Sequence, residues 1–384
     1  MKSLLKRTLT AAFFVAMVLP VAAQESLEEK LQNIKLPEGF HIEVFAENVP
    51  GARQMVRGDN GTIFVGSFGP GKVSAVVDTD GDHKADKVYT LLSRDKALPN
   101  GEGVAAPMGV TMKGNSLYVG DGKHILRFDD IESKLENPGD PAIVVDDLPK
   151  GAAHYWKIID FGPDEKLYVP IGSPCNACDV VDGMMRIIRM DADGSNREVV
   201  ALGVRNSLGF DWDPETGDFW FTDNGMDDKA VMGEELPFDE LNRLSKLGEH
   251  FGFPFIHGGD QLDPKLGLDK DPADYTVPAQ KLNPHAAAMG MLFYNGSMFP
   301  SEYKNAIFIA EHASYKRQVE HSYRVSVVTH DGKNGTSYKP FATGWMKEGE
   351  QAWGKPFDVL TLPDGSMLIS DDTANAIYRI TYKN

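Results

Sequence analysis

One unit recurs along most of this chain: a polar turn, then an alternating apolar strand that ends near Gly or Asp. The copies read GDNGTIFVGS (58–67), MKGNSLYVGDG (112–122), FGPDEKLYVPIG (161–172), DPETGDFWFTDNG (213–225), PSEYKNAIFIAEH (300–312) and LPDGSMLISDD (362–372). Each is followed by a second strand-like run, such as KVSAVVD, HILRFDD or YRVSVVTHDG. Measured from Thr62, Ser116, Leu167, Phe219, Ile307 and Met367, the steps are 54, 51, 52, 88 and 60 residues. A step near fifty is the length of a four-stranded propeller blade. The apolar residues alternate with period two, as expected of small sheets packed face to face. An ordinary β-sandwich would not explain so regular a step. The pattern predicts an all-β fold, a six-bladed β-propeller of four-stranded antiparallel blades, over residues 36–384. The long step holds an insertion, at about 243–284, rich in Gly, Pro and Asp. Residues 24–35 form an N-terminal segment with the main helical pattern of the chain, SLEEKLQNIKLP.

Residues 1–23 read as a secretory signal. Lys2, Lys6 and Arg7 precede an apolar run, and Val21 and Ala23 are small residues before Gln24. Export to the periplasm or the medium follows, and no later segment is apolar and long enough to span a bilayer. Removing the signal takes the formal charge from −17 to −20. So acidic a chain repels nucleic acid and anionic membrane surfaces. An anionic ligand needs a local basic pocket.

Cys175 and Cys178 are the only cysteines. In an oxidising compartment two thiols become a disulfide. A zinc site needs two further ligands at suitable spacing, and haem attachment needs a His where Asp179 stands. The motif follows the strand-like KLYVPIGS rather than opening a helix, which argues against a thioredoxin-like role. A short loop staple is the expectation. DTDGDHKAD (78–86) resembles a calcium loop but lacks the Glu of an EF-hand, so a solvated turn is preferred.

A propeller directs attention to its central channel mouth, where loops from several blades meet. The stretch LGVRNSLGFDWDPETGDFWFTDNG (202–225), with DELNRL (239–244) and GEHFGFP (248–254), resembles the soluble PQQ-dependent glucose and aldose sugar dehydrogenases. It is most similar to their L-sorbosone dehydrogenase-like branch. Further marks are LPEGFHIEVFAENVPGAR (36–53), IGSPCNACD (171–179), NPHAAAMGMLFYNGSMFP (283–300), EHASYKR (311–317) and WGKPFDV (353–359). Together they span nearly the whole mature chain.

The resemblance implies a six-bladed propeller that binds pyrroloquinoline quinone (PQQ) with calcium and oxidises an aldose or related sugar. Hydride passes to the quinone while a base takes the hydroxyl proton. His154 falls at the family's base position, and a histidine is suited to accept that proton. A lone histidine is otherwise more often a satisfied structural residue. Arg205 and Asn206 match the family's Arg-Asn pair beside the quinone, although Ser207 replaces the usual Pro. Asn224, Gly225 and Met226 match the loop whose carbonyls hold the calcium, with Met226 where relatives often have Pro. Asp239 and Glu240 read equally as metal-associated carboxylates or as turn residues. His285 aligns with a position facing the cofactor plane. Lys316, rather than Arg317, is the cation for a cofactor carboxylate. His312 lies in the same segment. Lys355 stands where relatives carry an Arg, and a second family Arg aligns near Phe357. The electron acceptor is a separate carrier, because no haem motif is present. Two other functions fit such a scaffold: a calcium-dependent lactonase-like hydrolase and a non-catalytic binding propeller.

Overall fold

The computed structural model describes residues 25–383 apart from 228, 234, 314–322 and 347–350. The expected signal segment and Lys316 lie outside the described residues.

Six small antiparallel sheets form a ring, a six-bladed β-propeller. The first blade comprises Ala52–Arg57, Ile63–Ser67, Lys72–Val77 and Lys87–Ser93. The second comprises Pro107–Lys113, Ser116–Asp121, His124–Phe128 and Ala142–Val145. Asp160–Phe161, Leu167–Ile171, Arg186–Met190 and Glu198–Leu202 make the third, and Phe210–Trp212, Phe219–Asp223, Phe238–Leu244 and Gln280–Pro284 the fourth. The fifth runs through Ala288–Phe293, Ile307–Glu311, Arg324–His330 and Gly335–Ala342. In the sixth, Pro356–Thr361, Met367–Asp371 and Ala376–Tyr382 are joined by Phe40–Ala46 from the start of the chain. That outermost strand pairs antiparallel with the last one, Phe40 opposite Tyr382. The ring is thus closed by strand pairing between the two ends of the sequence.

The repeat copies mark the second strand of every blade, and the runs after them are the third strands. These second strands are buried on both faces, as in Leu167–Ile171 and Met367–Asp371. The reason is that alternate side chains serve two neighbours. Leu167 and Val169 pack with Tyr118 and Ile125 of the preceding blade. Phe219 and Phe221 pack with Ile187 and Val200. Ile307 and Ile309 pack with Trp220 and Leu241. The core is therefore a set of layers between blades rather than one central mass. Gly290 allows close approach at one inner strand: a Cβ there would fall 2.0 Å from Asp358 Oδ1.

The third blade carries a fifth strand. Glu249–His250 adds parallel to Glu198–Leu202, which departs from a purely four-stranded pattern. It belongs to the segment between the third and fourth strands of blade four, which also forms the hairpin Ile256–His257 with Gln261–Leu262. The N-terminal segment forms the helix Leu27–Leu31, capped by Ser26 and Glu29 in a reciprocal capping box.

Candidate active site

Antiparallel pairing puts the start of each first strand and the end of each second strand on the same face of the ring. Buried aspartates tie the loops at these positions together. Asp121, Asp223 and Asp371 each end a second strand and accept backbone N–H groups from the loop entering their own blade. Their donors are Ala105 and Ala106, Arg205 and Asn206, and Lys355, respectively. For Asp223 the distances are 2.7 Å to Arg205 N and 2.6 Å to Asn206 N.

Seven of the candidate residues meet at one cavity of about 170 Å³ on this face: His154, Arg205, Asn206, Asn224, Gly225, Asp239 and His285. Trp156, Asp227 and Ala287 complete its wall. His154 is buried and has φ 46°, and Ala287 (φ 51°) and His285 (φ 55°) share that left-handed conformation. Strained backbone of this kind clusters where side chains must be aimed. Gly172 lets the His154 backbone approach closely: a Cβ there would lie 2.6 Å from His154 Cβ.

His154 Nδ1 lies 2.8 Å from the Ser173 carbonyl. A carbonyl only accepts, so Nδ1 carries the proton and Nε2 keeps a lone pair. Trp156 stands edge-on to the imidazole and donates from its indole N–H to Asn206 Oδ1 at 3.2 Å. Burial pushes the His154 pKa down to about 3, and the positive charges of Arg205 and Lys157 add to this. The residue is a neutral acceptor across the physiological range.

Arg205 is buried and densely held. Its Nε donates to Asn176 O at 2.9 Å and its Nη1 to Asn224 O at 3.2 Å. Nη2 donates to Asn176 Oδ1 at 2.6 Å and Asp227 Oδ2 at 3.3 Å. Cys175 and Cys178 form the disulfide that closes the loop carrying Asn176.

Beneath this cavity is a smaller one, lined by Arg205, Asp223, Asn224, Gly225 and Glu240 among others. Asp223 and Glu240 line it, and Asp239, on the wall of the larger cavity, is buried as well. Burial pushes Asp239 up to about 7, against N–H donation from Gly225 and Ala288. Burial also raises Asp223 and Glu240, and the Asp223 charge raises Glu240 further. Glu240 accepts from Gly258 N at 2.8 Å and Asn242 Nδ2 at 2.9 Å. Crowded carboxyls beside carbonyl-bearing loop residues are the donor chemistry of a hard divalent cation. Met226 is buried next to Gly225 but does not line the larger cavity.

Lys355 and His312 lie apart from that wall, toward blades five, six and one. Lys355 places its ammonium 5.7 Å from the Tyr323 ring centroid. His312 Nε2 is 3.0 Å from Asp372 Oδ1, and Asp372 Oδ2 accepts from Arg53 Nε at 2.9 Å. Against the effect of burial, His312 and Arg53 hold the Asp372 carboxyl well below the usual carboxylate range. The Arg53 guanidinium is sandwiched, 5.0 Å from the Phe68 centroid and 4.6 Å from that of Phe357. Phe68 in turn packs on Trp156 at 5.1 Å. Sequence reasoning missed Arg53, Trp156, Asn176 and Asp372. Arg53 stands in an unremarkable inner strand, and only the closed ring brings it to Phe357. Asp78, Asp80 and Asp86 do converge within 4.8 Å, on an exposed loop whose bonds to Gly81, His83 and Thr79 are those of a turn.

The family model for Glucose / Sorbosone dehydrogenase matches residues 119–319, just over half of the chain. The chain belongs to the glucose/sorbosone dehydrogenase family. Membership supports sugar oxidation as the general activity. A relative from Borreliella burgdorferi, described as an uncharacterized protein, is 32% identical over 378 residues and covers 93% of each chain. Two solved structures share the fold of this family member at low identity. The calcium structure of the Trichoderma reesei family AA12 carbohydrate-active enzyme has a TM-score of 0.76 at 17% identity, covering 91% of this chain and 97% of that one. The PQQ-bound aldose sugar dehydrogenase of Streptomyces coelicolor has a TM-score of 0.63 at 19% identity, covering 91% and 100%.

Proposed function

We propose that the protein oxidises a soluble aldose, or a related sugar of the sorbosone type, with PQQ and calcium at the propeller mouth. The observation that carries this reading is the lone-pair nitrogen of His154, locked by Ser173 and sharing one cavity with Arg205. When bound, the quinone would accept the hydride and the calcium would polarise its carbonyl.

The residues present fit both groups. Arg205, Asn206, Asn224 and His285 offer a cation and polar donors to an anionic, flat cofactor, with Lys355 and Lys316 as further cations. The carbonyls of Gly225 and Met226, with Glu240, would hold calcium. The raised carboxyls of Asp239 and Glu240 support a cation there, since a divalent charge would stabilise their ionised forms. His154 Nε2 takes the sugar hydroxyl proton as the hydride leaves the same carbon. The negative charge of a bound tricarboxylate would offset the burial and neighbouring cations that lower the basicity of His154. Trp156 restricts water at the imidazole edge.

The disulfide supports action in an oxidising compartment, periplasmic or extracellular. Among the described residues no helix is long and apolar enough to cross a membrane. Electrons leave to a separate carrier.

The test is a titration of metal-stripped protein with PQQ, with and without calcium, followed by absorbance before and after a panel of aldoses. Calcium-dependent binding and sugar-driven bleaching of the quinone are expected. Absence of binding at micromolar PQQ would contradict the reading and favour a calcium-dependent hydrolase on the same carboxylates.

A further inference from the structure

The Cys175–Cys178 loop does more than close four residues of chain. Its neighbour Ser173 accepts from His154 Nδ1 through its carbonyl and donates its own N–H to Arg205 O at 2.8 Å. Ser173 Oγ donates to Cys175 O at 2.9 Å, which ties this strand end to the loop. Within the loop, Asn176 meets Arg205 twice, through O and Oδ1. The same Oδ1 accepts the N–H of Asp227 at 2.9 Å. One side-chain oxygen therefore joins the Arg205 segment of blade four to the 224–227 loop, from a position on blade three.

We propose that Asn176 is the positioning residue for the Arg205 guanidinium, and that the disulfide presets Asn176 for that task. The proposal deepens the functional reading above and rests on it for the role of Arg205. Asn176 is exposed while Arg205 is buried, so Asn176 acts as a cover rather than as core. The hydrogen bonds of Arg205 use Nε–H, one Nη1–H and both Nη2–H. That leaves one Nη1–H, among the described residues, for a ligand at the mouth. Asn176 supplies two of the four contacts that fix its direction. Ala177 and Cys178 pack against the core of blades two and three, while Asn176 is exposed; an unlinked loop would let Asn176 sample more conformations, and the cross-link removes many of them before binding. This accounts for a disulfide in a loop too short to stabilise the fold greatly.

The experiment reads Arg205 directly. In the purified mature protein without cofactor, the Nη proton resonances of Arg205, assigned by their loss in Arg205→Lys, are expected to be separate, as in a guanidinium that cannot rotate. Asn176→Ala should merge them, and Asn176→Asp, which keeps the acceptor, should restore them. Reduction of the disulfide should also merge them. The melting temperature of Asn176→Ala should stay near that of the wild type. If the protein takes PQQ, Asn176→Ala should raise its Kd roughly tenfold, the usual effect of removing a partner that orients a ligand-binding group. Separate Nη resonances in both Asn176→Ala and the reduced protein would overturn the proposal. A wild type that fails to bind PQQ would instead overturn the functional reading, while the resonances still decide the role of Asn176.

Discussion

His154 shows how a neutral imidazole is kept ready. Its ring orientation comes from Ser173, the close approach of its backbone from Gly172, and its neutrality from burial beside Arg205 and Lys157. His154→Asn should lower sugar-driven quinone reduction by about 10²–10⁴-fold, the range of general-base catalysis, while PQQ affinity changes little. Stopped-flow absorbance against an equilibrium titration separates the two effects. The sequence pointed to this residue through the family motif around it. It did not show Arg53, because that side chain acts through Asp372 and His312, which lie more than 250 residues away in the chain. Arg53 now offers a structural account of the aromatic residue at 357: a guanidinium already lies over its ring.

At the scale of elements, the aspartate ending a second strand is the recurring device. In the sequence it was legible only as a strand "ending near Gly or Asp". Its partner loop, entering the first strand of the same blade, could not be read, because the bond depends on how the two loops emerge together. Asp223→Ala would leave the N–H groups of Arg205 and Asn206 buried without their acceptor, at a cost of about 2–4 kcal/mol. Denaturant unfolding of this variant should show that loss, and PQQ binding should fall with it. Equivalent loss of stability in Asp121→Ala, on a blade away from the cavity, should leave binding unaltered. The repeat made the second and third strands legible. The short first strands, such as Asp160–Phe161, and the added parallel strand Glu249–His250 were not, since two residues carry no period.

Over the whole molecule, the ring is closed by Phe40–Ala46 on the last strand, and Phe40 packs on Phe299, Tyr303 and Phe341. A chain starting after residue 46 would expose the edge of Ala376–Tyr382 and should aggregate, as read by size-exclusion chromatography. The central channel adds a pH dependence. Asp211 and Asp358 line a cavity of about 260 Å³ there, and burial pushes both up to about 7. The folded state therefore holds protons that the unfolded chain releases near pH 4. This part of the stability is full below about pH 4 and is lost as pH rises through about 7. Asp211→Asn and Asp358→Asn should each flatten that fall, by on the order of 2–4 kcal/mol in the difference between pH 4 and pH 8. Thermal unfolding across pH measures it. The fold, the disulfide and the meeting of seven candidate residues at one mouth support the proposal that sugar oxidation happens there with His154 as base. The most direct test is single-turnover reduction of bound PQQ by an aldose, compared between wild type and His154→Asn at equal cofactor loading. Rapid reduction in the wild type and near-absence in the variant is the predicted result. Equal rates in both proteins would contradict the account.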